Sequence, residues 1–109
     1  MGRWLLRLAS LLLSAAVIAG FAAVWGWNEF TRPGPLTSET SVVIPRGAGM
    51  ETIAHRLFAA GVIADPRILA IGAKITGQAR RLKAGEFAFP AAVSPRAALD
   101  ILESGATVV

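Results

Sequence analysis

The sequence contains no cysteine and only one histidine among its 109 residues. Without cysteine there is no disulfide framework, no thiolate zinc site and no cysteine nucleophile. His55 has no second histidine with which to hold a metal ion, so no metal or cofactor is predicted. The chain has room for one small domain, and we do not expect a complete catalytic domain within it.

Charged side chains are scarce and are not concentrated in one place. They make up 17% of the residues, against about 25% in soluble proteins. The net charge is +4. Three basic residues and one acidic residue lie up to Leu36, and eight basic and six acidic residues follow it. Only Arg80, Arg81 and Lys83 lie close together. Because a nucleic-acid interface needs a dense basic stripe with interleaved aromatic side chains, nucleic acid is not predicted as a partner.

One long apolar run lies near the amino terminus. Residues 8–27 include no charged side chain, and as a helix they would extend about 30 Å, the thickness of the hydrocarbon core of a bilayer. Trp4 lies before the run, and Trp25 and Trp27 lie at its far end. Indole rings favour the headgroup layer, so the pattern predicts a membrane-spanning helix over residues 8–27.

The charges on either side of this run predict its orientation. Arg3 and Arg7 precede it, whereas Glu29 and Arg32 follow it and cancel. Positive charge is retained on the cytoplasmic side of a membrane. We therefore expect residues 1–7 to be cytoplasmic, the chain to cross the inner membrane once, and the rest to be periplasmic or otherwise extracytoplasmic.

Two other interpretations of the apolar run stay open. A cleaved signal peptide has a basic start, an apolar stretch and a small-x-small cleavage site, and Gly20-Phe21-Ala22 fits such a site. The run is longer than the usual apolar stretch of about 7–15 residues and continues past that site, which favours an uncleaved anchor. The third interpretation is a helix buried in a larger assembly.

Residues 28–40 differ in composition from the segments on both sides. They contain Pro33-Gly34-Pro35, which breaks a helix and disfavours a strand. The sequence therefore predicts a short stiff linker that lifts the following domain off the membrane.

Residues 41–109 alternate between strand and helix patterns. A β-branched run predicts a strand at residues 41–44, and alternating residues predict another at 86–89. Asp65-Pro66 and Ser94-Pro95 are N-cap and proline pairs that begin helices, and glycines are expected to end them. The predicted order is strand 41–44, helix 50–60 ending at Gly61, helix 66–76 ending at Gly77, loop 78–83, strand 86–89, helix 95–104 ending at Gly105, and the beginning of a strand at 107–109.

This order predicts a small α+β domain with one modest core. Phe58 is expected on the apolar face of the first of these helices. The predicted core consists of Val43, Ile53, Leu57, Ile63, Leu69, Ile75, Phe87 and Leu102. The sequence stops on apolar residues, where natural termini are more often polar, so we expect it to be part of a longer protein.

Several short motifs resemble those of known cell-wall proteins. They are Val43-Ile44-Pro45 with Gly47 and Gly49, Thr52-Ile53-Ala54 with Leu57, residues 60–63, residues 82–90, and residues 98–102 before Gly105. The first and fourth resemble the opening and closing strands of a LysM module, which has βααβ order. The whole layout resembles the amino-terminal part of the YceG-like (MltG) family of membrane-bound endolytic murein transglycosylases, with an anchor, a LysM-like subdomain and an extra helix.

The resemblance implies an activity for a longer parent protein. Members of this family are lyases that cut nascent peptidoglycan strands and leave 1,6-anhydro-muramic ends, with a catalytic glutamate in a domain that would lie beyond Val109. No residue of this sequence matches that glutamate. Glu51 is expected to complement a helix dipole and Glu86 to face solvent, so no catalytic residue is predicted.

The resemblance also implies partners and a binding groove. In LysM-type modules the glycan groove lies between the first strand–helix loop and the loop before the second strand, here residues 46–50 and 78–82. The candidate residues are Arg46, Gly47, Gly49, Arg80 and Arg81. The implied partners are peptidoglycan glycan strands, the bilayer and cell-wall synthesis proteins. The alternative is an anchored LysM-like wall-binding or envelope scaffold protein without catalysis.

Overall fold

The computed structural model describes residues 2–107 and begins with a helix, α1, at Gly2–Thr31. Thirty residues make a helix of about 45 Å. Its side chains are exposed over most of this length, and only Phe30 is buried. In length and composition α1 is able to cross a membrane.

Two short antiparallel strands form the sheet. β1 is Thr40–Ile44 and β2 is Gly85–Phe89, with Val42 opposite Phe87. Val42 and Ile44 point into the core together with both phenylalanines of β2. The prediction that Val43 is a core residue is wrong, because the alternation of side chains along a strand places it on the other face, where it is 55% exposed.

Three helices pack against the sheet and one another. They are α2 at Met50–Ala59, α3 at Pro66–Thr76 and α4 at Pro95–Ser104. The predicted helix starts are confirmed: the Asp65 carboxylate accepts a hydrogen bond from the amide of Arg67 at 2.9 Å, and the Ser94 hydroxyl accepts one from the amide of Ala97 at 3.1 Å. Gly61, Gly77 and Gly105 have φ of +79°, +78° and +69°, which is the left-handed conformation expected after a helix.

Six of the eight predicted core residues are confirmed. Ile53, Leu57, Ile63, Leu69, Phe87 and Leu102 are buried. Ile75, however, is 76% exposed, because α3 buries the side that carries Leu69, Gly72 and Ala73. Phe58 is also mainly exposed, since α2 buries Ile53, Ala54 and Leu57 instead.

The predicted linker at residues 28–40 is not a spacer. Residues 28–31 belong to α1, and Phe30 is only 2% exposed. The following segment lies along the domain: the amide of Gly34 donates to the carbonyl of Ala92 at 3.2 Å, and the amide of Ala92 donates to the carbonyl of Leu36 at 2.9 Å. The prediction of a linker is therefore wrong for residues 28–31, which are helical, and Gly34 and Leu36 are hydrogen-bonded to the domain.

The predicted loop at residues 78–83 begins with a 3₁₀ turn at Gln78–Arg80, and Gln78 is buried. Near the carboxyl end of the described residues, Thr107 is not in a strand, and the rest of the strand predicted at 107–109 lies outside the described residues. The α+β class and the βααβ order with an additional helix are confirmed.

Candidate functional site

The predicted groove residues lie in two exposed loops at one end of the sheet. Ile44 is paired with Gly85, so the turn after β1 and the segment before β2 lie at the same end of the sheet. Arg46, Gly47 and Arg80 are exposed there. Gly47 has φ of +75°, which favours glycine, whereas Gly49 has an ordinary φ of −75° as the N-cap of α2.

Arg81 is engaged with the domain itself. Its Nε donates to Oε1 of Glu103 at 2.7 Å, and the ammonium of Lys83 donates to the backbone carbonyl of the same residue. The side-chain amide of Gln78 donates to Oε2 of Glu103 and to Oδ1 of Asp100, both at 2.8 Å. These bonds join the carboxyl end of α4 to the segment after α3.

The same contacts change the acidity of Glu103. The hydrogen bond from Gln78 is the main cause that lowers the pKa of this carboxyl, and the positive charges of Arg81 and Lys83 add to it. A group acting as a general acid needs a raised pKa. The ionised form of Glu103 is therefore favoured, and its carboxylate binds Gln78 and Arg81.

The junction between α1 and the domain consists of Trp27, Phe30, Gly72 and Arg96. The ring of Phe30 lies against Gly72, where an added methyl group would overlap it. The rings of Trp27 and Phe30 have centroids 5.7 Å apart, and the guanidinium carbon of Arg96 lies 5.2 Å from the centre of the Trp27 ring. This cation–π contact joins α4 to the same turn of α1.

A cavity of about 290 Å³ opens at the carboxyl end of α1, between residues 29–35 and the start of α3. Its carboxylates are Glu29, which is 2.8 Å from the guanidinium of Arg32, and Asp65. Hydrogen bonds from Arg67 lower the pKa of Asp65. Both carboxylates are thus paired with arginine.

A second cavity, of about 400 Å³, is the apolar groove between α1 and α3. Its α1 wall consists of Ala22, Ala23, residues 25–27 and Phe30. Its α3 wall consists of Ile68, Ile71, Gly72 and Ile75. Nearly all of the surface lining it is carbon, so it suits an apolar occupant.

The acidic side chains are all at least partly accessible to solvent. All seven lie within residues 2–107, and none is buried. Glu51 and Glu86 are exposed, with Glu86 on the outer face of β2 as predicted. Over the same range, no cluster of three or more histidine and acidic residues is arranged to hold a metal ion. None of the residues predicted for the glycan groove lines either cavity.

The domain is similar to proteins of a known family. The sequence profile of the YceG-like family matches residues 42–109, more than half of the chain. The chain belongs to the YceG-like family. A crystal structure of a yceG-like protein from Listeria monocytogenes is similar to it, with a TM-score of 0.62 and 25% identity over 66% of this chain. The match spans 23% of the length of that Listeria chain. A search of curated proteins finds no significant match.

Sequence reasoning missed the two residues that connect the parts of this molecule. Phe30 is an aromatic residue three positions after Trp27, and this spacing on one face of α1 was a usable signal. Gln78 had no such signal, because a glutamine in a polar segment ordinarily faces water.

Proposed function

We propose that this chain is the anchor and positioning region of an enzyme that cleaves peptidoglycan glycan strands by lytic transglycosylation, leaving 1,6-anhydro-muramic ends. Membership of the YceG-like family carries the proposal. The Listeria relative is more than four times as long as the matched region, which leaves room for a catalytic domain in proteins of this family. The described residues supply the anchor and a LysM-like support.

α1 is proposed to cross the inner membrane once, with its amino terminus in the cytoplasm. Arg3 and Arg7 lie before the uncharged run. Beyond it, Glu29 and Arg32 form an ion pair at 2.8 Å and contribute no net charge. This difference in charge between the two ends of the run supports retention of the amino terminus on the cytoplasmic side.

The junction supports a positioning role. Since Phe30 is buried against Gly72, the last turn of α1 is packed into the domain. This packing supports a fixed position of the domain relative to α1. A catalytic domain that follows would be confined near newly made glycan strands, which raises its effective concentration.

Glycan contact by the domain itself is a separate part of the proposal. Arg46 and Arg80 are exposed in the segments that follow β1 and precede β2, and they are proposed to meet a glycan strand together with Gly47, Gly49 and Arg81. The test is retention of the full chain, in detergent micelles, on purified sacculi. Loss of retention in Arg46→Ala/Arg80→Ala but not in Arg56→Ala, an exposed arginine of α2, is the expected result. Equal retention of both variants would remove glycan binding from the proposal.

The enzymatic part is tested with the product of the whole gene. The purified protein is incubated with uncrosslinked glycan strands, and the new ends are identified by mass spectrometry. Anhydro-muramic ends are expected. Retention on sacculi without any cleavage would instead favour the alternative, an anchored wall-binding or scaffold protein.

A further inference from the structure

The direction of α3 relative to α1 follows from the two cavities. Ile68, in the first turn of α3, borders the cavity that contains Glu29 and Arg32 at the carboxyl end of α1. Ile75, in the last turn, borders the apolar groove that reaches back to Ala22. Therefore α3 runs back along α1, and its carboxyl half lies beside the end of the uncharged run.

Among the described residues, this half of α3 presents apolar side chains that are largely exposed. Ile71 is 55% exposed and Ile75 is 76% exposed. Scattered exposed aliphatic residues are ordinary, but these two continue the exposed apolar surface of α1 around Trp25. A contiguous apolar surface of this kind marks an interaction site.

The depth of the groove matches the boundary layer of a bilayer. Ala22 lies five residues before Trp27, so the groove reaches about 7.5 Å along the helix into the span. Amphipathic segments that lie on a membrane bury their apolar side by about 5–10 Å. Trp25 and Trp27, which border the groove, are residues that favour this layer.

Lys74 places a positive charge in the same half of α3. Lys74 is exposed and lies three positions after Ile71, so these two side chains are neighbours on the helix surface. A lysine stem can cover apolar surface while its ammonium reaches a lipid phosphate. The combination fits the surface of a phospholipid layer.

We infer that the carboxyl half of α3 rests in the periplasmic leaflet of the bilayer that α1 spans, with phospholipid acyl chains filling the apolar groove and Lys74 at the phosphates. This inference depends on the membrane crossing proposed above. It makes the domain a second membrane contact.

The absence of cysteine in the sequence allows a direct test. Ile71→Cys and Ile75→Cys variants of the full chain are each labelled with an environment-sensitive fluorophore and reconstituted into vesicles that contain anionic phospholipid. Quenching by a lipid carrying a spin label near its headgroup is measured. Ala22→Cys tests whether α1 lies in the bilayer. Val43→Cys is the matched control, because Val43 on β1 is as exposed as Ile71. Circular dichroism verifies that each variant is folded.

Lipid contact predicts quenching at positions 71 and 75 that is stronger than at position 43, because an apolar face that lies on a membrane is buried in the boundary layer. Lys74→Glu, but not Arg56→Glu, should reduce quenching at position 75 in anionic vesicles. Quenching at position 22 without quenching at 71 and 75 overturns this inference alone, whereas no quenching at position 22 overturns the membrane crossing as well. Self-quenching between labels at position 75 without lipid quenching would assign the groove to a second copy of the chain and contradict the inference.

Discussion

The ring of Phe30 lies against the α-carbon of Gly72, so the last turn of the apolar helix is packed into the domain. A helix that ends in this way differs from a helix followed by a flexible tether. The position of the domain relative to α1 is set by side-chain packing, and the same packing contributes to the stability of the domain.

Phe30→Ala is expected to destabilise the domain by about 3–5 kcal/mol, the usual cost of truncating a buried phenylalanine. The reason is the loss of contacts with Gly72 and the rest of the core. The measurement is hydrogen exchange of the backbone amides of α3 and β2 in the full chain in micelles. Phe21→Ala, at a position of α1 that is 74% exposed, is the matched control and should leave their exchange unchanged. Equal protection in both variants would mean that Phe30 does not support the core.

Gly72→Ala is expected to weaken the same junction from the other side. The added methyl group would overlap the Phe30 ring, and overpacking of this kind costs about 1–3 kcal/mol. Gly20→Ala has open space around it and should be neutral or slightly stabilising, because alanine favours a helix. Phe30→Leu should cost less in the Gly72→Ala background than alone, since contacting residues are not additive. Additive costs would contradict direct contact.

Local signals explain why much of the fold could be predicted from the sequence. Asp65 and Ser94 accept hydrogen bonds from the first amides of their helices, and such capping depends on neighbouring residues only. The glycines after α3 and α4 end them for an equally local reason. Both helices were accordingly predicted close to their observed limits.

The errors concern packing between distant residues. Val42 and Val43 are both good strand residues, and only their register with Phe87 and Glu86 decides which one is buried. Ile75 continues an apolar pattern along α3, but it lies beside α1 and not in the core. The candidate site residues could be placed in loops from the sequence. Their surroundings, such as the contact of Arg81 with Glu103, depend on how α4 folds back and could not be predicted.

The stability contributed by Glu103 should depend on pH. Gln78 lowers the pKa of this carboxyl from its ordinary value of 4.5, so folding favours the ionised form. The contribution is complete above that ordinary value and is lost as the pH falls through the lower value of the folded state. The melting temperature of Glu103→Gln should therefore lie below that of the unchanged chain at neutral pH, and the difference should shrink in acid. Glu86→Gln, on the outer face of β2, is the control. A difference that persists at low pH would exclude this charge effect.

The junction also determines where the domain can be separated from α1. A fragment that begins at Thr37 omits Phe30 and leaves the surface around Gly72 without its aromatic cover. A fragment that begins at Asn28 retains this side chain and the hydrogen bond from Gly34 to Ala92. In urea titrations followed by circular dichroism, the shorter fragment should be less stable by at least about 3–5 kcal/mol, the cost of losing a buried phenylalanine. Phe30→Ala in the longer fragment should reproduce only part of this loss, because the shorter fragment also lacks Leu36 and the hydrogen bonds of Gly34 and Leu36 with Ala92. If the two fragments unfold at the same urea concentration, the end of α1 does not belong to the core and the positioning role has no structural basis.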